Sequence, residues 1–162
     1  MQKTTHTTIT LALFVFFSCC VQSLKAQDAD TSAVGQTIQS KKYTFMAHTA
    51  ISADGVVISL LNNLYNMKVF DDSVTTALPY YGRSFTASMG SYAEDLGINI
   101  ASELSRYQTK YKKSKWDISI RPETGKHASL MSLVVYANGT ATLQVNSNSR
   151  QPITFNGFIL PN

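Results

Sequence analysis

Cysteine is nearly missing from this chain of 162 residues, and its two occurrences, Cys19 and Cys20, are adjacent in an N-terminal apolar run. If that run is removed on export, the mature chain holds no cysteine. A protein without cysteine has no disulfide framework and no thiol chemistry. We therefore expect the fold to be held together by its hydrophobic core, which a domain of this size can bury.

A hydrophobic stretch long enough to cross a membrane is also missing. The apolar run "LALFVFFSCCV" at residues 11–21 is shorter than the roughly 20 residues that a transmembrane helix needs. A short start with Lys3 and no acid precedes it, and "QSLKAQ", with the small residue Ala26, follows it. This pattern predicts a cleaved secretory signal peptide over residues 1–26. It implies export to the periplasm or the cell surface.

A lipid anchor at Cys19 or Cys20 is the alternative to a cleaved signal peptide. Bacterial lipidation requires a leucine-like residue three positions before the cysteine and a small residue just before it. Ser18 meets the second requirement for Cys19, but Phe16 and Phe17 occupy the other positions. Cleavage without an anchor is therefore favoured, since an acyl chain would attach the protein to a membrane.

A strong excess of charge is absent as well. The full chain has 14 basic and 10 acidic residues and a net charge of +4. Removal of residues 1–26 takes away Lys3 and Lys25, which leaves a net charge of +2. Nucleic-acid-binding domains carry a much larger basic excess, so no nucleic-acid partner is expected.

Recognisable catalytic and metal-binding motifs are lacking. His48 and His127 are isolated from one another, without the spacing of a zinc site. No G-x-S-x-G nucleophile elbow is present, and the adjacent acids at residues 71–72 and 94–95 are explained by solvation. We expect no metal and no cofactor, and we favour a protein that is not an enzyme. A hydrolase whose site the sequence does not mark is the alternative.

Alternation of apolar and polar residues is what the sequence contains instead. "YTFMAHTAI" at residues 43–51 and "WDISIRP" at 116–122 each place their large apolar side chains on one face, as in a half-buried strand. "DG" at 54–55 and "NG" at 138–139 are hairpin turn signals. Eight or nine such strands predict a single all-β domain over residues 42–162, mainly antiparallel, either a sandwich or an open barrel.

The segment at residues 27–41 is polar and precedes the first strand. Val34 and Ile38 are one helical turn apart, which allows a short helix with an apolar inner face. Asp30 or Thr31 could cap it. Gly35 weakens this prediction because glycine disfavours a helix interior.

The run "KYKKSK" at residues 110–115 holds four lysines. A solvated hairpin tip explains it, because lysine also discourages edge-to-edge pairing of strands. An anionic partner, such as a phosphate-rich glycan or a membrane surface, is the alternative.

The stretch "LPYYGRSF" at residues 78–85 combines residues that suit a turn or a binding site. Pro79 cannot donate to a ladder and should end a strand, and Gly82 would permit a left-handed turn. If Arg83 is buried, its charge must be paired. The candidate partners are the acids at residues 71–72 and the carbonyls of "NSNSRQ" at 146–151, and this structural role is favoured.

A binding role is the alternative for the same stretch. In that case Tyr80, Tyr81, Arg83 and Arg150 line a cleft. Arginine matches the geometry of carboxylates and phosphates, and tyrosine rings stack on a sugar face. These four residues are the predicted ligand-binding side chains.

Two stretches together resemble a known family. The first matches at Leu78, Pro79, Tyr80, Gly82 and Arg83. The second, "NGTATLQVNSNSRQPITFNGFI", matches at Asn138, Gly139, Leu143, Val145, Ser147, Arg150, Gln151, Ile153, Phe155, Gly157 and Ile159. The pattern resembles DUF4251, a domain of unknown function from small exported proteins of Bacteroidetes. Tyr81 and Ser149 depart from the residues usual there, which are phenylalanine and asparagine.

The resemblance implies export, a bacterial origin and a β-rich fold, and it supplies no activity. We therefore expect an exported envelope protein that binds a small or glycan-like ligand or an envelope partner without catalysis. A structural or assembly protein that pairs through a sheet edge is a further alternative.

Overall fold

The computed structural model describes residues 32–60, 64–85, 97–124 and 128–162. Within these ranges the chain forms one helix, α1 (Ala33–Gln39), and nine strands: β1 (Lys42–Ile51), β2 (Val57–Ser59), β3 (Asn66–Phe70), β4 (Ser73–Pro79), β5 (Gly97–Lys112), β6 (Lys115–Pro122), β7 (Leu130–Tyr136), β8 (Thr140–Asn146) and β9 (Ile153–Pro161). The predicted signal peptide, both cysteines, His127 and the acids at residues 94–95 lie outside the described residues.

The strands form an antiparallel barrel with up-and-down connectivity. From β3 onward each strand pairs with the next, and β1 pairs with both β3 and β9. These contacts close an eight-stranded barrel, while β2 adds a short extra strand beside the second half of β1. The predicted all-β, antiparallel, single-domain fold is confirmed. The sheet is a barrel, and the pairing of β1 with β9 closes it.

The barrel interior is filled because inward and outward side chains alternate along each strand. Inward residues from strands all around the barrel have no exposed surface, among them Phe45, Met67, Leu133, Leu143 and Phe155. Buried apolar side chains from every strand of the barrel form one cluster. An interior of eight strands is just wide enough for side chains to fill, so the lumen here is the hydrophobic core.

The contact between β1 and β9 is unusually close at Gly157. The register of this pair shifts between Ala47 and Thr49, where β1 contains a bulge. A Cβ atom on Gly157 would collide with the backbone carbonyl oxygen of Met46. Glycine is therefore required for the barrel to close at this position.

One end of the barrel, here the helix end, carries α1 and the turns at residues 71–72, 113–114 and 137–139. The cap of α1 is Ser32, whose hydroxyl accepts a hydrogen bond from the Gly35 amide at 3.1 Å. The predicted caps Asp30 and Thr31 lie outside the described residues. Ile38 is completely buried in the core, so α1 covers this end of the barrel, and the predicted short helix is confirmed.

Strand β5 is long enough to pair with two different strands along its length. Its residues 97–103 pair with β4, and its residues 104–112 pair with β6. The register shifts between Leu104 and Arg106, where the strand passes from one partner to the other. The two halves are thus joined in one continuous strand.

Candidate functional site

The opposite end of the barrel, here the loop end, is formed by the end of β4 at Pro79, the start of β5 at Gly97 and the connection at residues 147–152 between β8 and β9. The two stretches that carry the family resemblance meet there. Ser84 forms an isolated antiparallel bridge with Arg150. The two motifs, distant in sequence, are thus direct structural partners.

Backbone hydrogen bonds hold these two segments together. The amide of Phe85 donates to the carbonyl of Ser149 at 2.8 Å, and the amide of Gln151 donates to the carbonyl of Arg83 at 3.1 Å. The amide of Arg83 also donates to Oε1 of Gln151 at 3.2 Å. This bridge fixes the turn after β4 against the connection before β9.

Tyr80 reinforces the bridge with its hydroxyl group. The hydroxyl lies 2.9 Å from the carbonyl oxygen of Arg83 and 3.1 Å from that of Gln151, so its single proton is shared between these two acceptors. Its ring folds back over Gly82, where an added Cβ would lie 2.7 Å from the hydroxyl oxygen. Gly82 therefore makes room for the tyrosine. The prediction of a left-handed turn at Gly82 is wrong, because its φ lies outside that region.

Arg150 is the buried arginine of the loop end, with only 4% of its surface exposed. Its Nη1 donates to the carbonyl oxygen of Gly97 at 2.9 Å, and its guanidinium lies 4.9 Å from the centre of the Tyr80 ring. A cation over an aromatic face is stabilised by the ring quadrupole. Burial raises the pKa of Tyr80, and the charge of Arg150 opposes that rise.

Arg83 has an exposed side chain and enters the bridge through its backbone. The predicted pairing of Arg83 with residues 71–72 is wrong, because those acids lie at the helix end. There Asp72 bridges Lys41 at 2.8 Å and Asp71 bridges Lys42 at 3.5 Å. Arg83 does contact the "NSNSRQ" segment, but through its backbone and not through the predicted pairing of its side chain. The buried charge in this segment belongs to Arg150.

The structure thus brings Tyr80 and Arg150 into direct contact and places Arg83 beside them at the surface. Tyr81 is half-buried and packs against the core. Tyr80 and Arg150 are engaged by the protein itself. Arg83 is the member of the predicted set whose side chain is most available to a ligand.

An open groove of about 360 Å³ lies next to this bridge. Its lining consists of Leu64, Tyr65, Ala77, Leu78, Pro79, Gly97 and Asn99. Ala77 and Asn99 are opposed across β4 and β5 and are both exposed, so the groove lies on the outer surface of the barrel. Pro79, which lines the groove, is the residue just before Tyr80 in the chain.

Sequence reasoning missed the groove residues Leu64, Tyr65 and Asn99. Leu64 is 68% exposed although it is a large apolar residue. The alternation of Ile98 and Ile100 with Asn99 does indicate that Asn99 points outward. No pattern in the sequence indicates that Asn99 faces residues 64–65, because that proximity depends on how β3, β4 and β5 are arranged.

The remaining predicted chemical groups lie apart from the loop-end bridge. His48 is exposed and makes an edge-to-face contact with Phe158, with ring centres 4.8 Å apart. Among the described residues, no cluster of histidine, cysteine and acidic side chains could hold a metal ion. Within the same residues, no helix has the length and apolar character to cross a membrane.

Comparison with known proteins identifies the family. No curated protein matches the chain. A crystal structure of a DUF4251 family protein from Bacteroides eggerthii has a similar fold, with a TM-score of 0.60 at 16% sequence identity, and the match covers 78% of this chain and 83% of that chain. The model of the domain of unknown function DUF4251 matches residues 25–159. Because that match spans most of the sequence, this protein belongs to the DUF4251 family.

Proposed function

We propose that this protein is an exported binding protein that takes a small saccharide-like ligand in the loop-end groove without catalysis. The groove carries the proposal. It combines apolar surface from Leu64 and Pro79, an aromatic ring from Tyr65 and the exposed amide of Asn99. Sugars have apolar faces and polar edges, and a site of mixed apolar and amide groups suits both.

Its position also supports binding at the groove. The lumen of the barrel is occupied by core side chains, so a ligand would bind on the outer surface. Pro79 and Gly97 belong to rigid strands, and the adjoining bridge between residues 83–85 and 149–151 holds the neighbouring turn in place. A preformed site loses little conformational entropy on binding.

Arg83 extends this proposal to acidic sugars. Its exposed guanidinium lies four residues beyond Pro79 in the chain, and arginine forms paired hydrogen bonds with carboxylates. In this proposal Arg83 is the side chain that contacts an anionic group. The other predicted binding residues, Tyr80, Tyr81 and Arg150, support the ligand indirectly by holding this turn in position.

Amide chemical-shift mapping by NMR tests the proposal. The probes are glucose, galactose, N-acetylglucosamine, maltose and glucuronate, each titrated into the exported, processed protein. We expect shifts that cluster at residues 64–66, 77–78 and 97–99, since Pro79 itself has no amide proton. Asn99→Ala should weaken the affinity for the bound sugar about tenfold, which is the effect of losing one or two hydrogen bonds. Arg83→Ala should weaken the affinity for glucuronate alone.

Gln108→Ala is the matched control, because Gln108 is another exposed amide on β5 and lies in the half that pairs with β6. It should leave every titration unchanged. Equal losses in the Asn99 and Gln108 variants, or no response to any sugar of the panel, would overturn the groove as a saccharide site. Mass spectrometry of the processed protein tests export separately, since cleavage after Ala26 should remove residues 1–26.

A further inference from the structure

The tip of the β5–β6 hairpin concentrates positive charge at the helix end. Lys110, Lys112 and Lys113 are exposed, and Lys115 follows at the start of β6. Lys115 forms an ion pair with Asp117 at 3.2 Å. Lys110, Lys112 and Lys113 form no ion pair with the residues that the structure describes. The tip therefore presents a local excess of positive charge.

The placement of Lys112 and Lys113 opposes the stability of the hairpin, whereas Lys110 lies opposite Asp117 across the strands. Lys112 and Lys115 are directly opposite one another across the strands, and like charges in such positions are destabilising. Lys113 and Ser114 both adopt left-handed backbone conformations, with φ of 54° and 57°. Residues with a Cβ atom pay roughly 1–2 kcal/mol for that conformation. Folding alone therefore does not account for lysine at positions 112 and 113.

Exposed apolar side chains lie at the same end of the barrel. Tyr136 is paired directly with Lys115 across β6 and β7 and is 44% exposed. Phe70 is 48% exposed at the end of β3, with the Lys42 ammonium 5.1 Å from its ring centre. The turns after β3, β5 and β7 all lie at one end because the strands alternate in direction.

We propose that the helix end docks on the surface of a lipid bilayer with anionic headgroups. Charge complementarity supports this partner, since each lysine near an anionic bilayer contributes about 1 kcal/mol to binding. The exposed ring of Tyr136 beside Lys115 favours a bilayer, because amphipathic rings settle at the headgroup boundary, and Phe70 adds exposed apolar surface at the same end. A dissolved polyanion would use the lysines and leave the rings in water. In this orientation the loop-end groove faces away from the membrane.

Co-sedimentation with vesicles tests the docking surface, with the exported, processed protein as the sample. One set of vesicles is phosphatidylcholine, and in the other a third of that lipid is replaced by phosphatidylglycerol. We expect binding to the second set. The triple variant Lys110→Gln, Lys112→Gln, Lys113→Gln removes the three lysines without an ion pair among the described residues. It should lower the vesicle partition coefficient about a hundredfold, and Lys113→Gln alone should lower it about fivefold.

Arg121→Gln is the matched control. Arg121 is exposed on β6, six residues from Lys115, which is about 20 Å along a strand and beyond the Debye length of about 8 Å at physiological salt. Its loss should leave the partition unchanged. Phe70→Ser should lower the binding that persists at high salt. Circular dichroism of each variant separates lost docking from lost folding.

Three results would overturn the proposal. The first is equal binding to neutral and anionic vesicles. The second is an equal effect of the Lys113 and Arg121 substitutions. The third is retention on heparin without binding to vesicles, which would assign the tip to a soluble polyanion.

Discussion

The two ends of this barrel are closed by different physical means. At the helix end, α1 buries Ile38 completely in the core, and the stabilisation comes from apolar burial. At the loop end, the buried group is the charged side chain of Arg150, held by a carbonyl and an aromatic face. The first stretch of the family pattern lies at this polar end, together with Ser147, Arg150 and Gln151 of the second stretch, while Asn138 and Gly139 lie in a turn at the helix end. A polar closure needs particular residues, whereas apolar residues of similar volume substitute for one another more readily.

The largest expected effect tests the apolar closure. Ile38→Ala should lower the free energy of unfolding by about 3 kcal/mol, because it leaves a cavity beneath α1. Urea unfolding measures the loss, and Gln39→Ala, at the exposed next residue, should change stability by less than about 0.5 kcal/mol. A loss below about 1 kcal/mol for Ile38→Ala would mean that α1 contributes little to the barrel.

The second prediction compares the two arginines of the loop end. Arg150→Ala should cost about 2 kcal/mol, because it removes a charged hydrogen bond and leaves the buried carbonyl of Gly97 without that donor. Arg83→Ala should cost less than about 0.5 kcal/mol, since its side chain is exposed. Urea unfolding of the two variants side by side measures both. Similar losses would contradict the assignment of the structural role to Arg150.

The smallest expected effect concerns two tyrosines beneath α1. The hydroxyls of Tyr43 and Tyr107 lie 3.2 Å apart, and Tyr107 also donates to the carbonyl of Ile38. Tyr107→Phe should cost about 1 kcal/mol at neutral pH. Urea unfolding measures this loss, and Thr109→Ala, at an exposed position two residues along β5, is the control.

The same pair predicts how stability depends on pH. Burial raises the pKa of both Tyr43 and Tyr107, so the unfolded chain releases these protons first. The stabilisation from this pair is complete below about pH 10, the pKa of an unperturbed tyrosine. It is lost as the pH rises toward the pKa values of the two tyrosines in the folded protein. Tyr107→Phe should make this alkaline loss shallower, as urea midpoints and tyrosinate absorbance will measure. An unchanged slope would contradict the role of the pair.

Much of the fold could be predicted from the sequence because burial alternates so regularly. Tyr43 and Phe45 face the core, as do Trp116 and Ile118, and the pattern alone assigns those faces. Closure of the barrel could not be predicted in this way. Alternation shows which face of β1 is buried but not which strands lie beside it, and the partner in question, β9, is far from β1 in the sequence.

The candidate site was less predictable for a related reason. Arg83 and Arg150 both lie in turn-rich segments without periodicity, so no pattern distinguishes the buried arginine from the exposed one. The family resemblance marks both equally. Only the antiparallel bridge at Ser84 and Arg150 determines which side chain turns inward, and that bridge joins segments that are distant in sequence.

The pairing of β1 with β9 has a consequence for biosynthesis. Phe45 is opposite Ile159, so one edge of the first barrel strand stays unpaired until β9 has been made. An open strand edge is a template for pairing with other chains, and a nascent chain exposes it for as long as elongation continues. A product truncated before Ile153 would present two such edges, on β1 and on β8. The first strand of the barrel to leave the ribosome is the last to acquire its full set of neighbours.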